Sequence, residues 1–138
     1  KFHPLAVHFP IAIILAAALA EMLNLRLKRP IFSLSARYLV ILGALSALGT
    51  AGLGWAAGAY AHFPGELAAT LVWHRWLGTA AAATAVLAGI FSGLRSRYQN
   101  SAAMCRLYLV SLFASAALVG LAGHLGAMLV YGWQHFTW

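Results

Sequence analysis

Four long apolar runs separated by short polar breaks organise the chain. They lie near Leu5–Leu27, Arg37–Ala61, Glu66–Leu94 and Ala103–Gly132. A hydrocarbon core about 30 Å thick is crossed by about 20 helical residues, so each run is long enough to span it. Pro30 and Ser33 mark the first turn, Pro64-Gly65 the second and Gln99-Asn100-Ser101 the third. Connections this short make successive helices antiparallel neighbours. The predicted architecture is all-α: an integral membrane, up-down four-helix bundle. No linker, low-complexity tract or second domain interrupts it, so residues 1–138 form a single transmembrane domain.

Composition explains why lipid must be the solvent. Of 138 residues, 63% are hydrophobic and 8% charged, with a mean hydropathy of +0.84. A soluble domain carries about 25% charged residues to hydrate its surface. The formal charge of +7 suggests nucleic acid until the basic residues are placed. Arg26, Lys28, Arg29 and Arg37 sit at the first connection, and Arg95, Arg97 and Arg106 at the third. This is a topology signal and no nucleic-acid face. The positive-inside rule then puts both connections in the cytoplasm and both termini outside. Trp55, Trp73, Trp76, Trp133 and Trp138 all fall toward the outer end, as an interfacial belt would.

Cys105 has no partner for an internal disulfide and reads as a packing residue. The chain begins at Lys1 without methionine, as a processed chain or a fragment of a longer one would. The first run does not read as a cleaved signal peptide, because its basic cluster follows it and it is too long.

The histidines carry the candidate chemistry. With the inner arginines as a ruler, His8 lies 18 residues from Arg26, His124 lies 18 from Arg106, and His74 lies 21 from Arg95. At about 1.5 Å per residue, His8 and His124 stand about 27 Å above the inner arginines and His74 about 31 Å. Three helices carry a histidine at nearly one level, and on the second helix that level falls at Trp55, between Gly54 and Gly58. Ionisable residues at membrane depth face the bundle interior and have partners there. One such histidine would be an interfacial hydrogen-bonding group; three at one depth point to a cofactor, a metal ion or a proton path. His62 and His135 lie further out as solvated residues, and so does His3, although it sits in a patterned segment.

Imidazole is an axial ligand of haem iron, and bundle cores hold such cofactors between facing helices. Haem b needs two ligands, small residues beside them and a cation for its propionates. His8 and His74 lie on diagonal helices and can face each other. His124 is a third candidate, flanked by Gly123 and Gly126, so the axial pairing stays open. Arg75 is positioned to neutralise a propionate, and Trp73 and Trp76 to line the rim. The glycines either let helices approach closely or clear space for a flat ligand. The competing chemistry is a site for zinc or copper made by His8, His74 and His124. It ranks below haem because Glu66 alone could supply a carboxylate second shell.

Glu66 opens the third span, where a carboxylate favours a helix N-terminus. Glu21 lies within the first span, either as a paired or snorkelling carboxylate near the inner interface or as a proton-handling group for a quinone or a transported ion. Pro4 suits a first helical turn. Pro10 then leaves the Ala6 carbonyl without a donor and kinks the helix near His8. Otherwise the span starts at Pro10, with His3–His8 re-entrant. No Ser–His–Asp set, Cys-x-x-Cys-His motif or phosphate loop is present.

Three segments, Phe2-His3-Pro4-Leu5-Ala6-Val7-His8-Phe9-Pro10-Ile11, His74-Arg75-Trp76-Leu77-Gly78 and Gly123-His124-Leu125-Gly126-Ala127-Met128-Leu129-Val130-Tyr131-Gly132, resemble a bacterial membrane family known as domain of unknown function 2231. The first and last are specific and the middle one is weak by itself. The resemblance covers essentially the whole chain, with Ala127 standing where the family has a second glycine. It implies that His3, His8, His74 and His124 belong together, in a layout similar to b-type cytochromes, some joined to c-type cytochrome domains. The expected function is a haem b electron-transfer subunit of the bacterial inner membrane, more a carrier than an enzyme by itself. It would link the quinone pool to a periplasmic partner such as a c-type cytochrome, or to other subunits of a membrane redox complex. The alternatives are a histidine-based metal-binding or transport module and a purely structural membrane subunit.

Overall fold

A computed structural model of the chain describes residues 3–98 and 101–132, without the side chains of His3 and Pro4. Gln99, Asn100, Trp133, His135 and Trp138, all named above, lie outside the described residues. Five helices follow in order: α1 (His3–Ala6), α2 (His8–Leu27), α3 (Pro30–Ala59), α4 (Glu66–Arg97) and α5 (Ala102–Tyr131). No strand occurs among the described residues. The four long helices are long and apolar enough to cross a membrane.

Prolines set two of the boundaries. Pro10 has no N–H to give the Ala6 carbonyl, and the helix breaks at Val7. It resumes with the Ile11 N–H bonding the Val7 carbonyl at 3.3 Å. His8 therefore opens the long helix, and the kinked alternative holds. At the other end of α2, Lys28 turns left-handed (φ 52°) and gives its N–H to the Asn24 carbonyl. Pro30 is then the first residue of α3. The expectation that Pro30 and Ser33 form the turn and that the second span starts at Arg37 is corrected: the connection is Lys28-Arg29 alone. A proline at a helix start loses no hydrogen bond and arrives with a helical φ, so it opens this helix. Gly65 (φ +60°) leads into α4, with Glu66 in its first turn. Ser101 caps α5, its Oγ accepting from the Met104 N–H.

Each long helix packs on its neighbours in sequence, α4 with α5 most extensively, and α5 closes on α2. The helices α2 and α4 are thus diagonal. The interior is built from alanine: Ala17, Ala44, Ala81, Ala85 and Ala88 pack around Ile14, Val40 and Leu112. Bulky side chains such as Leu19, Leu45, Val110 and Leu121 point outward. Small-inside, large-outside packing is what dispersion contacts in lipid favour. At Gly43 an added Cβ would lie 2.9 Å from Ile14 Cγ1, so α2 and α3 touch there, whereas at Gly52 it would meet nothing within 4 Å. Gly43→Val should destabilise the bundle by about 1–3 kcal/mol through overpacking. Gly52→Val should change the melting midpoint in the same detergent far less; equal shifts would show that the α2–α3 approach is not tight.

The antiparallel order gathers the start of α2, the end of α3, the start of α4 and the end of α5 at one end, here the histidine end. The two connections rich in Arg and Lys lie at the other, the basic end. Trp55, Trp73 and Trp76 are exposed at the histidine end.

Candidate functional site at the histidine end

Cross-helix contacts put the candidate residues on one level. Trp55 on α3 gives its indole N–H to Thr79 Oγ1 on α4 at 2.9 Å. On α4, His74 meets Ala122 and Gly126 of α5. On α5, a Cβ at Gly123 would lie 3.7 Å from Ile11 of α2.

The arrangement around His74 is the most specific. Its Nδ1 lies 2.8 Å from the Ala122 carbonyl oxygen. A carbonyl only accepts, so Nδ1 carries the proton, and in the neutral ring Nε2 carries the lone pair. This is how proteins fix the tautomer of a ligating imidazole. Gly126 makes the placement possible: a Cβ there would stand 3.0 Å from His74 Cε1 and 3.4 Å from Nδ1. The flat object that Gly126 admits is therefore the His74 ring. Gly123 instead lets α5 lie against Ile11.

Arg75, one residue on, leaves α4 toward α3. Its guanidinium lies 3.9 Å from the centre of the Trp55 ring, a cation–π contact. A Cβ at Gly58 would be 3.3 Å from Arg75 Cδ and Nε. Thr79 Oγ1 donates to the Arg75 carbonyl at 2.8 Å, and Trp76 meets Trp55 edge-on with centroids 5.6 Å apart. Arg75 Nε is buried and has no hydrogen-bond partner among the described residues. A buried donor in that state is costly.

The other histidines are set differently. Ala122 and Gly126, four residues apart, share the face of α5 that meets His74. His124 lies two residues from each, about 200° round the helix, and is exposed. His8 is exposed one turn before Ile11, on the α2–α5 side of the layer. His62 is exposed in the α3–α4 loop, its Nδ1 3.3 Å from the Tyr60 carbonyl. The side chain of His3 and the whole of His135 lie outside the described residues. Among the described residues, no group of three His, Cys, Asp or Glu side chains is placed to hold a metal ion.

Glu21 is paired. It is 1% exposed, near the basic end, and its Oε1 accepts from Arg95 Nη1 of α4 and Asn24 Nδ2, both at 3.1 Å. Its Oε2 accepts from the Tyr108 hydroxyl of α5, also at 3.1 Å. The sequence signal was a carboxylate inside an apolar span, which requires a partner; which partner depended on helix rotation.

No curated protein sequence and no solved structure matches this chain. One family model does, over residues 1–136, and its description is a predicted membrane protein. The chain belongs to that family, DUF2231.

Proposed function

We propose that this protein is a membrane electron-carrier subunit that holds haem b at its histidine end. The observation that carries the reading is the His74–Ala122 hydrogen bond, which orients an intramembrane imidazole as second-shell contacts orient metal ligands. Two features beside it suit the same group. Gly78, one turn along α4 from His74, has nothing within 4 Å of an added Cβ, which leaves room beside the imidazole. Arg75, with its unpartnered Nε, is a cation one residue away. In this reading His74 would hold the haem iron together with a second histidine, and His8 on the diagonal helix suits that role better than His124, which lies on the far side of α5. Arg75 binds a propionate, and Trp55 stacks on Arg75 to hold it. The group supplies reversible one-electron transfer when bound. The electron partners are the quinone pool and a c-type cytochrome or other subunits of a membrane redox complex.

Absorption spectra of the purified protein, oxidised and dithionite-reduced, test this directly. A sharp reduced α-band of b type is expected, with little response to carbon monoxide if two histidines hold the iron. A colourless protein with stoichiometric zinc or copper would make the layer a metal-binding or transport site instead. A colourless, metal-free protein would leave a structural subunit.

The proposed setting is the bacterial inner membrane, with the basic end cytoplasmic and the histidine end periplasmic, on the positive-inside rule. In a Cys105→Ala background, a cysteine introduced at Pro64 should react with a membrane-impermeant label on whole cells, and one at Arg29 should not. The reverse pattern would invert the orientation.

A further inference from the structure

The basic end holds a second polar site that the haem reading does not use. All four long helices line a cavity of about 270 Å³ there. Glu21 and Tyr108 are buried in its wall, Ser33 and Arg37 enter from α3, and Ser92 and Arg95 from α4. At about 30 Å³ per water molecule, the space takes several waters or a small polar group.

Its hydrogen-bonding capacity is unbalanced. Glu21 supplies the one negative charge and already accepts three hydrogen bonds. A carboxylate has about four such positions. What remains is mostly donor: the Arg37 guanidinium, the other N–H groups of Arg95, and the hydroxyls of Ser33 and Ser92. Two arginines against one carboxylate leave the lining with a net positive charge. Arg26, Lys28, Arg29, Arg97 and Arg106 surround the same end and strengthen its attraction for anions.

We infer that this cavity binds a phosphate group, carried either by a membrane phospholipid headgroup or by a soluble phosphate. Guanidinium forks match phosphate oxygens in geometry and charge, and hydroxyl donors complete the set. A quinone headgroup fits less well. Ser92 lies 18 residues along α4 from His74, about 27 Å, so a redox ligand here would be remote from the histidine layer.

The test uses the full chain purified in an uncharged detergent. The probes are sodium phosphate and short-chain phosphatidylglycerol, with sodium chloride at matched ionic strength as the control. The readout is the unfolding midpoint against probe concentration. At least one phosphate probe should stabilise saturably where chloride does not. Arg37 is exposed at the mouth, so Arg37→Gln should fold and raise the half-saturating concentration about tenfold or more. Arg106→Gln removes the same charge from the same end outside the cavity and should change it little. Saturation by phosphatidylglycerol alone identifies a lipid headgroup, and saturation by inorganic phosphate identifies a soluble one. If neither probe saturates, or if the two variants behave alike, the cavity is no phosphate site.

Discussion

Arg95→Ala should destabilise the folded bundle by about 3–5 kcal/mol, read as a fall in the unfolding midpoint in a single detergent. The size follows from what the substitution leaves behind. Glu21 is 1% exposed and sits among three helices, so loss of the guanidinium leaves a buried carboxylate without its ion-pair partner. The effect should fall toward the lower figure because the Arg95 side chain is 30% exposed. Removing both charges at once, as in Glu21→Met/Arg95→Met, should restore most of the loss, since a buried pair and a packed apolar pair are often near equal in stability. Tyr108→Phe should cost about 1.5–3 kcal/mol, the usual range for a hydrogen bond to a charged group. If Arg95→Ala melted with the wild type, the pair would contribute nothing.

The second large effect is expected at Gly126. A branched side chain there crowds the His74 ring, because even a Cβ would stand 3.0 Å from Cε1. Gly126→Val should therefore push the imidazole off α5 and break its bond to the Ala122 carbonyl. If the histidine end holds haem, Gly126→Val and His74→Ala should each lower cofactor content about tenfold or more, the usual scale for losing a ligand's orienting contact. Gly123→Ala should retain it, since a Cβ there meets only Ile11 at ordinary contact distance. His62→Ala, in the loop, should also retain it. Haem content per protein, measured as the pyridine haemochrome, checks all four. Full occupancy in folded Gly126→Val would remove His74 from the ligand set.

What the chain disclosed from sequence was length and depth. Apolar runs broken by prolines and basic residues fixed the number of spans, and the order of the spans put His8, His74, His124 and Trp55 at one end of the bundle. Rotation was hidden. These helices are apolar on nearly every face, since lipid accepts what a soluble surface would reject, so no polar stripe marks which way a side chain points. Hence the contacts of His74 with Ala122 and Gly126 could not be read in advance. The same blindness concealed that Asn24, Arg95 and Tyr108 converge on Glu21 from three helices. Pro30 misled for another reason: proline both ends and begins helices, and the two-residue connection before it left only the second role.

Two of the polar contacts that α4 makes with other helices have a mechanical consequence. His74 is keyed to the Ala122 carbonyl near one end of the helix, and Arg95 is keyed to Glu21 near the other. The keys are 21 residues apart, about 31 Å along a single rod. A twist of that rod by even a quarter turn would disengage both, and a slide of one helical turn would do the same. Helix α4 is thus the stator of the bundle. Helices α2 and α5 share this fixture, because the Tyr108 hydroxyl of α5 also bonds the Glu21 carboxylate of α2.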